Sequence, residues 1–499
     1  MSQDVNPRAA HLLARIGRLS PAALILLGLL LAWATQVSPR LQGAWRFGAG
    51  ALGLCVGVVV LSAAASTQWW RSRTVWAWLA FWMVWVATLP WTLRPASMPT
   101  PDPIGAAREA QQVAAGLKYP IQVPPLSGGD EVTQLALAAA VTGAMLLLAG
   151  GTRRGVLAFR ALWLAVLWST APVAIREVVA DRHIITTKYD VWFFAPHTPA
   201  GPFQNPNNYA CVLACAVGVL LVWVLDTSSR WWAGVLLASV ALAAALEFTT
   251  GGRAALVAIV LQVLAALAVA LRRRGLSGHA SMGAGRSTWR RAVVVGAGVL
   301  VGSALVVLAL VVPALTSRNP LTRLFATGDG DAAAYDSLRF DLTRTGLRYW
   351  WEHPWLGTGA GTFETRLATE LPHDVSNQTI NLHNAFVEIL SQYGVVVFAP
   401  FALLLLVLAW RVVDKRPLRH RPPRSTRSRA PESPRSGVLV AESRGSAQGV
   451  RRANYRLELA SLLMMIAVTG VVVSSALALP MWFVMIAHAT HLGWALERR

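Results

Sequence analysis

The sequence is dominated by apolar runs that recur along its whole length. Many of them reach the roughly 20 residues that a helix needs to cross the hydrocarbon core of a bilayer. The chain has 499 residues, of which 55% are hydrophobic and only 14% are charged, and its mean hydropathy is positive. A soluble protein of this length has more charge and shorter apolar runs. We therefore predict an all-α, polytopic integral membrane protein rather than a soluble enzyme with one anchor.

Hydropathy predicts about twelve transmembrane helices in a single membrane domain, residues 1–499. The predicted spans lie near residues 20–35, 47–66, 74–92, 132–150, 155–177, 208–226, 231–247, 253–271, 292–314, 383–411, 455–475 and 479–495. A large loop, residues 315–382, separates the ninth span from the tenth. An alternative for the first span is a cleaved signal, because Ala32-Trp33-Ala34 fits the small-x-small cleavage pattern.

The formal net charge of +21 is interpreted as a topology signal. When the loops are assigned alternately to the two sides of the membrane, about two thirds of the Lys and Arg residues fall on one side, and most acidic residues fall on the other. The positive-inside rule makes the basic side, with both termini, cytoplasmic. Its most basic segment, residues 412–454, is rich in Pro, Ser and Arg and is predicted to be a disordered linker beside anionic lipid. Nucleic-acid binding is the less favoured interpretation of this segment.

The sequence contains little that is typical of a metal site. His353, His373 and His383 have spacings that match no compact zinc motif. Asp329-Gly330-Asp331 is a pair that can hold a divalent cation, but its Gly-rich context favours a solvated turn. The three cysteines lie in apolar stretches, and we interpret them as small core residues.

Three polar stretches fall on the predicted non-cytoplasmic side. The first, GPFQNPNNYA (201–210), favours a turn leading into a helix, with Asn205 or Asn207 near the cap. The second, EFTTGGRAAL (247–256), puts Arg253 at the N-terminus of an apolar helix, where the helix dipole disfavours a cation. A bound anion would remove that conflict, and snorkelling of the side chain to the interface is the structural alternative.

The third stretch begins with DSLRFDLTRTGLRYWWEHPWLGTGAGTF (336–363). We predict a helix near the membrane surface that ends at Pro354 and is followed by a flexible glycine loop. Its predicted faces are Arg344 with Arg348 on one side and Leu338, Leu342, Leu347 and Trp351 on the other. No strand precedes GTGAG and no βαβ unit follows it, which argues against a dinucleotide-binding site.

The next span opens with LHNAFVEILSQYGVVV (382–397), which places His383, Asn384 and Glu388 within its first turns. Ionisable groups in a membrane segment are costly and usually functional. A neutral imidazole suits a general base, and nearby arginines favour that neutral form. The structural alternative for His383 is an interfacial helix cap. Glu388 lies one turn beyond Asn384 rather than His383, so we interpret it as structural support.

In this order and on this side of the membrane, these motifs resemble the O-antigen ligase and O-antigen polymerase superfamily, over roughly residues 200–411. The resemblance implies a GT-C-like glycosyltransferase architecture in the cell inner membrane, with the large loop and the active site facing the periplasm. It implies His383 as the catalytic residue and Arg253 and Arg339 as pyrophosphate-binding residues. Candidate support comes from Arg344, Arg348, Asn384 and Glu388.

In the ligase branch, the resemblance implies transfer of an undecaprenyl-pyrophosphate-linked glycan to a sugar hydroxyl of lipid A–core. It also implies that no metal ion or other cofactor takes part. Direct attack by the hydroxyl inverts the anomeric configuration. O-antigen polymerases and protein O-oligosaccharyltransferases are alternatives that the motifs do not separate. A flippase or transporter is a different class, typified by ionisable residues near mid-membrane; here the polar residues gather at one interface.

Overall fold

A computed structural model describes residues 21–33, 69–93, 128–180, 198–203, 205–277, 330–363, 366–367, 382–414, 434–473, 477 and 479–497. Within these ranges the chain is almost entirely helical and contains no strand, which confirms the predicted all-α class. The longer helices are α1 (Pro21–Trp33), α2 (Arg73–Thr92), α3 (Gly128–Ala149), α4 (Arg153–Ala180), α5 (Pro206–Asp226), α6 (Arg230–Thr250), α7 (Arg253–Ser277), α8 (Gly330–Glu352), α9 (Ala385–Val413), α10 (Pro434–Val472) and α11 (Pro480–Glu497).

Eight of the described helices are long and apolar enough to cross a membrane, so the polytopic membrane protein predicted from hydropathy is confirmed. They are α2 to α7, α9 and the part of α10 from Gln448 onwards. The predicted span near 479–495 forms the buried helix α11, which is not among these eight. The predicted spans near 47–66 and 292–314 lie outside the described residues.

Helix α5 is the centre of the bundle. It is enclosed by α4, α6, α7 and α10, and nearly all its side chains are buried. It carries many small residues, among them Ala210, Cys211, Ala214, Cys215 and Gly218, which let neighbouring helices approach closely where lipid supplies no hydrophobic driving force between them. Two of these residues, Cys211 and Cys215, are free and buried, as predicted for small core residues.

The turn before α5 is a helix cap. The Asn205 side chain accepts a hydrogen bond from the Asn207 backbone amide at 2.8 Å, and Pro206 occupies the first helical position. Asn and Pro are favoured at these positions because the cap satisfies one orphan amide, while the proline has no amide to leave orphaned. Of the two candidate caps, Asn205 is therefore the one used.

The end of the bundle at which α5 finishes, called the far end, is fixed by buried ion pairs. Arg160 of α4 pairs with Glu458 of α10 at 2.7 Å and with Asp226 of α5 at 2.8 Å. Asn454 donates a further hydrogen bond to Asp226 at 2.7 Å. Movement of these helices relative to one another would separate the paired charges. An unpaired buried charge costs several kcal/mol, so the ion pairs oppose such movement.

The faces of α8 differ from the sequence-based prediction. Leu342 is fully buried, whereas Leu347 and Trp351 are 40% and 77% exposed. In a helix with 3.6 residues per turn, Leu342 and Leu347 point about 140° apart. The predicted grouping of Leu342 with Leu347 and Trp351 is therefore wrong, and the two exposed side chains lie on the same side as the exposed Arg344. The Leu338 side chain lies outside the described residues.

Helix α10 begins earlier than predicted. It starts at Pro434, inside the segment 412–454 that we expected to be a disordered linker, and residues 415–433 lie outside the described residues. Proline is well placed at the first turn of a helix, and no further proline occurs before the helix ends at Val472. The later part of the expected linker is therefore a helical extension of the membrane span.

Candidate active site

The head of α9 carries a strained histidine. His383 has a φ of 55°, and it is the one non-glycine residue with positive φ among those that the structure describes. The left-handed region is unfavourable for a residue with a Cβ, and such strain is found mostly at functional positions. Helix α9 then starts at Ala385, with Asn384 as the N-cap accepting from the Val387 amide at 3.3 Å. The cap is therefore Asn384, and His383 lies outside the helix.

The His383 imidazole is neutral at pH 7. Its Nδ1 is buried and has no hydrogen-bond partner among the described residues. The backbone of Val472 in α10 also lies close enough to the imidazole to affect its pKa. Burial, followed by the positive charge of Arg339, lowers the pKa of His383 to about 4, and the Val472 backbone opposes this shift. A neutral imidazole carries a lone pair on one of its two ring nitrogens, so it can accept a proton.

Arg339 reaches His383 because of its position on α8. It lies three residues before the fully buried Leu342, on the face that packs against the head of α9. That contact is a small apolar cluster formed by Leu342, Tyr349, Phe363, Leu367, Leu382 and Val387. Since Leu382 directly precedes His383, packing of this cluster holds the guanidinium and the imidazole in electrostatic contact.

Arg344 and Arg348 lie on the opposite side of α8. Arg348 is nine residues after Arg339, which is about half a revolution around the helix axis. Both side chains are exposed, and the Arg348 guanidinium lies over the Tyr349 ring at 5.1 Å from its centroid. The fold thus brings Arg339 to His383 and turns the other two arginines outward.

Arg253 is the first residue of α7, and its side chain is exposed. Gly251 ends α6 in the left-handed conformation with a φ of 72°, and a Cβ on Gly252 would come within 2.6 Å of the Ala210 Cβ in α5. The glycine pair therefore makes a tight turn whose second residue packs directly on α5.

A series of contacts places Arg253 and His383 at the same end of the bundle, called the site end. Next to Ala210, the Cys211 side chain lies beside the Thr469 side chain of α10. Thr469 lies one helical turn from Val472, which contacts His383. The three polar stretches of the sequence thus meet at one end of the bundle, and close approach of Arg253 to His383 stays a prediction.

Helix α9 is interrupted at Gly394, nearly two turns after Glu388. Gly394 has a φ of 69° and a ψ of −177°, which breaks the regular hydrogen-bond ladder. Residues 354–361, here called the clamp loop, replace the missing bonds. Thr358 and Gly359 donate to the carbonyls of Ser391 and Gln392 at 2.8 and 2.9 Å; Val395 and Val396 donate to those of Pro354 and Trp355 at 2.9 and 3.2 Å. Irregular backbone at membrane depth is tolerated when protein groups satisfy it in this way.

The glycine-rich GTGAG segment makes this close approach possible. A Cβ on Gly357 would overlap the Gln392 backbone, and one on Gly394 would overlap the Trp355 carbonyl. Gly357, Gly359 and Gly361 all have positive φ. The segment that we expected to be a flexible loop is therefore held by backbone hydrogen bonds against α9.

Glu388 and its neighbours stabilise the head of α9. The Glu388 amide donates to the Asn384 carbonyl at 2.8 Å, and its buried carboxylate accepts a long bond of 3.5 Å from Gln392 Nε2. These contacts lie within one helix. The interpretation of Glu388 as structural support stays a prediction.

Two buried carboxylates at the site end were not singled out from the sequence. Glu131 at the start of α3 bonds to the clamp loop through Gly361 and to α9 through Tyr393. Glu247 in the last turn of α6 is fully buried, with neither carboxylate oxygen hydrogen bonded among the described residues. In the sequence, each of these residues is a single acidic residue at the end of an apolar segment. Hydropathy alone does not distinguish such a residue from the ordinary polar boundary of a membrane span.

The structure describes only part of the candidate metal ligands. Asp329 and His373 lie outside the described residues, and His353 is exposed just after α8. Among the residues that are described, no group of three or more His, Cys, Asp or Glu side chains could hold a metal ion.

Comparison with known families agrees with the sequence motifs. Residues 238–402, from within α6 to within α9, match a family model described as O-Antigen ligase. The matched region contains Arg253, Arg339, the clamp loop and His383. A search of curated proteins gives no match to the chain. The resemblance to the O-antigen ligase and polymerase superfamily is confirmed over this region.

Proposed function

We propose, from the premise that residues 238–402 form an O-antigen ligase family domain, that this multi-pass membrane protein is an O-antigen ligase. It transfers a glycan from undecaprenyl pyrophosphate to a sugar hydroxyl of lipid A–core. The reaction takes place at the periplasmic face of the inner membrane, with both termini in the cytoplasm, and it uses no metal ion. The observation that carries the proposal is the strained, neutral imidazole of His383 beside Arg339 at the head of α9.

His383 is the general base in this mechanism. The acceptor hydroxyl transfers its proton to Nδ1 while its oxygen attacks the anomeric carbon from the side opposite the pyrophosphate. The bond between that carbon and the pyrophosphate oxygen breaks, so the configuration inverts and undecaprenyl pyrophosphate leaves with the bonding electron pair. General-base catalysis of this kind contributes about 10²- to 10⁴-fold to a rate. Because Nδ1 is buried in the ligand-free protein, acceptor entry requires the surrounding side chains to move.

Arg339 and Arg253 bind the donor pyrophosphate. A guanidinium forms two parallel hydrogen bonds to phosphate oxygens and keeps its charge at every physiological pH. Fixed positive charge at the departing oxygen can lower the barrier by several kcal/mol. Arg253 also removes the dipole conflict at the head of α7 when it holds an anion.

Donor binding also strengthens the base. Arg339 lowers the pKa of His383 in the free protein. A pyrophosphate dianion on that guanidinium cancels its field at the imidazole, so the pKa of His383 rises towards the operating pH. His383 is then a weak base without the donor and a stronger one with it, which limits proton transfer to the loaded enzyme.

The same donor chemistry serves the other branches of the superfamily. An O-antigen polymerase uses the hydroxyl of a second lipid-linked repeat, and a protein O-oligosaccharyltransferase uses a side-chain hydroxyl. His383, Arg253 and Arg339 act on the donor and on any hydroxyl, so the acceptor has to be identified by experiment.

The test is reconstitution of the purified protein in lipid with an undecaprenyl-pyrophosphate glycan. Parallel reactions contain rough lipopolysaccharide, a second lipid-linked repeat or a hydroxyl-bearing peptide, each with and without a chelator. We expect product only with rough lipopolysaccharide, and at an unchanged rate with the chelator. Product with only the lipid-linked repeat, or only the peptide, would assign the protein to the polymerase or the oligosaccharyltransferase branch instead. Absence of product with every acceptor would contradict the proposal.

His383→Ala should lower the rate of transfer by about 10²- to 10⁴-fold. His353→Ala is the matched control because that histidine is exposed after α8, and it should transfer at the wild-type rate. Arg253→Ala should weaken donor use, and Arg253→Lys should recover part of it, because Lys keeps the charge and loses the bidentate geometry. Wild-type transfer by His383→Ala would contradict its assignment as the base.

A further inference from the structure

Glu131 connects the clamp loop to α9, two elements whose relative position matters for the active site. It lies at the start of α3 and is 7% exposed. Its Oε2 accepts a hydrogen bond from the Gly361 amide at 2.9 Å, at the end of the clamp loop. Its Oε1 accepts one from the Tyr393 hydroxyl at 2.5 Å, beside the break in α9. One carboxylate therefore bonds to both sides of the contact between the clamp loop and α9.

These bonds are strong enough to fix the contact. A buried carboxyl group is costly unless hydrogen-bond donors replace its water, and Gly361 and Tyr393 supply two such donors. The neighbouring Ala360 amide donates to the Thr92 carbonyl at the end of α2, at 2.9 Å. The end of the clamp loop is thus held by α2, α3 and α9 together.

The contact that Glu131 holds sets the geometry between the base and the arginine. The clamp loop follows α8 directly, and α8 carries Arg339. Tyr393 belongs to α9, and His383 lies immediately before that helix. If the loop slips along α9, then α8 and its guanidinium move relative to the imidazole. The apolar cluster between the two helices is non-directional and resists such sliding less than hydrogen bonds do.

We propose that Glu131 is a positioning residue for the proposed transfer reaction: by holding Gly361 and Tyr393 it sets the position of Arg339 against His383. The inference rests on the proposed function for its catalytic consequence. It assigns a role to a residue of the N-terminal part of the chain, outside the region that matches the family model. Glu131 touches neither His383 nor Arg339, so it acts through the clamp loop and α9.

The experiment compares Tyr393→Phe, Glu131→Gln and Glu131→Ala with Glu177→Gln. Glu177 is the matched control because its buried carboxylate, in the last turns of α4, also accepts two backbone amides, from Ala200 and Gly201 at 3.0 and 2.7 Å. These two partners lie just before α5 rather than in the clamp loop, so its replacement tests the loss of a buried carboxylate elsewhere in the bundle. Tyr393→Phe removes one bond and keeps the ring, so it stays informative if Glu131→Ala does not fold.

Two readouts are used. Hydrogen exchange of the Thr358, Gly359 and Gly361 amides reports on the clamp loop without any activity. The pH profile of kcat/KM reports on the charge felt by His383, whose pKa is affected by Arg339 of α8 and by the Val472 backbone of α10. For Tyr393→Phe and Glu131→Gln we expect faster exchange, a loss of about tenfold in kcat/KM per folded enzyme, and an acid limb displaced to higher pH.

Glu177→Gln should leave both readouts at wild-type values. Wild-type exchange and a wild-type acid limb in Tyr393→Phe and Glu131→Gln would overturn the inference while wild-type transfer upholds the proposed function. Faster exchange together with an unchanged acid limb and unchanged kcat/KM would assign Glu131 a purely structural role, which also overturns it. Absence of transfer by the wild-type protein would instead defeat the proposed function, and the exchange data would still decide whether Glu131 holds the loop.

Discussion

Replacing Arg339 by Gln tests whether its guanidinium and the His383 imidazole act on each other. The base works in its neutral form, so activity falls as the pH drops through the pKa of His383. Arg339 disfavours the imidazolium, so its removal raises the pKa of His383. The variant therefore loses activity at a higher pH than the wild type does.

The structure bounds the size of this effect. The pKa of His383 is about 4, against an ordinary value of 6.5, and burial is a larger cause of the decrease than Arg339. The share that belongs to Arg339 is therefore smaller than the share that belongs to burial. We expect the acid limb of kcat/KM for Arg339→Gln to move to higher pH, and each pH unit of movement corresponds to a tenfold change in the protonation equilibrium of the imidazole.

The assay is glycan transfer by the reconstituted enzyme, with kcat/KM measured from about pH 3 to pH 8 so that the wild-type acid limb is covered. Arg344→Gln is the control, because it removes the same charge from the exposed, opposite side of α8. The maximum kcat/KM should also fall for Arg339→Gln, because the variant lacks a side chain that binds the pyrophosphate. The pH at which the acid limb lies reports separately on the electrostatic effect. An acid limb that stays in place for Arg339→Gln, or moves equally for Arg344→Gln, would refute the reasoning.

Two further predictions concern the scaffold. Gly394→Ala should destabilise the protein by about 1–3 kcal/mol or more, because Gly394 has a positive φ and a Cβ there would overlap the clamp loop. The melting temperature in detergent measures this loss. Gly234→Ala is the control and should not lower the melting temperature, because the space around Gly234 is open. Arg160→Ala should cost about 3–5 kcal/mol, because it leaves the buried Glu458 charge without its main partner, as chemical denaturation would measure. Arg153→Ala, exposed at the head of α4, is its control and should be near neutral.

Much of the fold could be predicted because membrane insertion depends on local properties. Length and hydropathy of a segment decide whether it can span a bilayer, and each of the eight apolar helices was predicted within a few residues of its observed bounds, apart from the early start of α10. The motifs around Arg253 and His383 likewise predicted the family whose model matches residues 238–402. The faces of α8 were not predicted correctly, because both of its sides carry large apolar residues and only packing against α9 selects Leu342 for burial.

The contacts within the candidate site depend on residues far apart in the chain. The sequence could nominate His383 and Arg339, but it could not say that α8 would turn Arg339 inward and Arg344 outward. It gave no sign that Glu131, more than two hundred residues upstream, would bond to Gly361 and Tyr393. Nor could it predict the φ of 55° at His383, which the surrounding packing imposes on a residue that does not favour it.

By itself, then, the amino-acid sequence determined that this chain enters a membrane as helices and that its polar motifs collect at one end of them. Hydrophobic transfer acts on each segment separately, so it can be evaluated from the segment alone. Only the tertiary structure decided which arginine faces the histidine and which carboxylate holds the clamp loop. Hydrogen bonds and charge contacts depend on distances of a few ångströms between separate helices, and those distances exist only once the helices have packed.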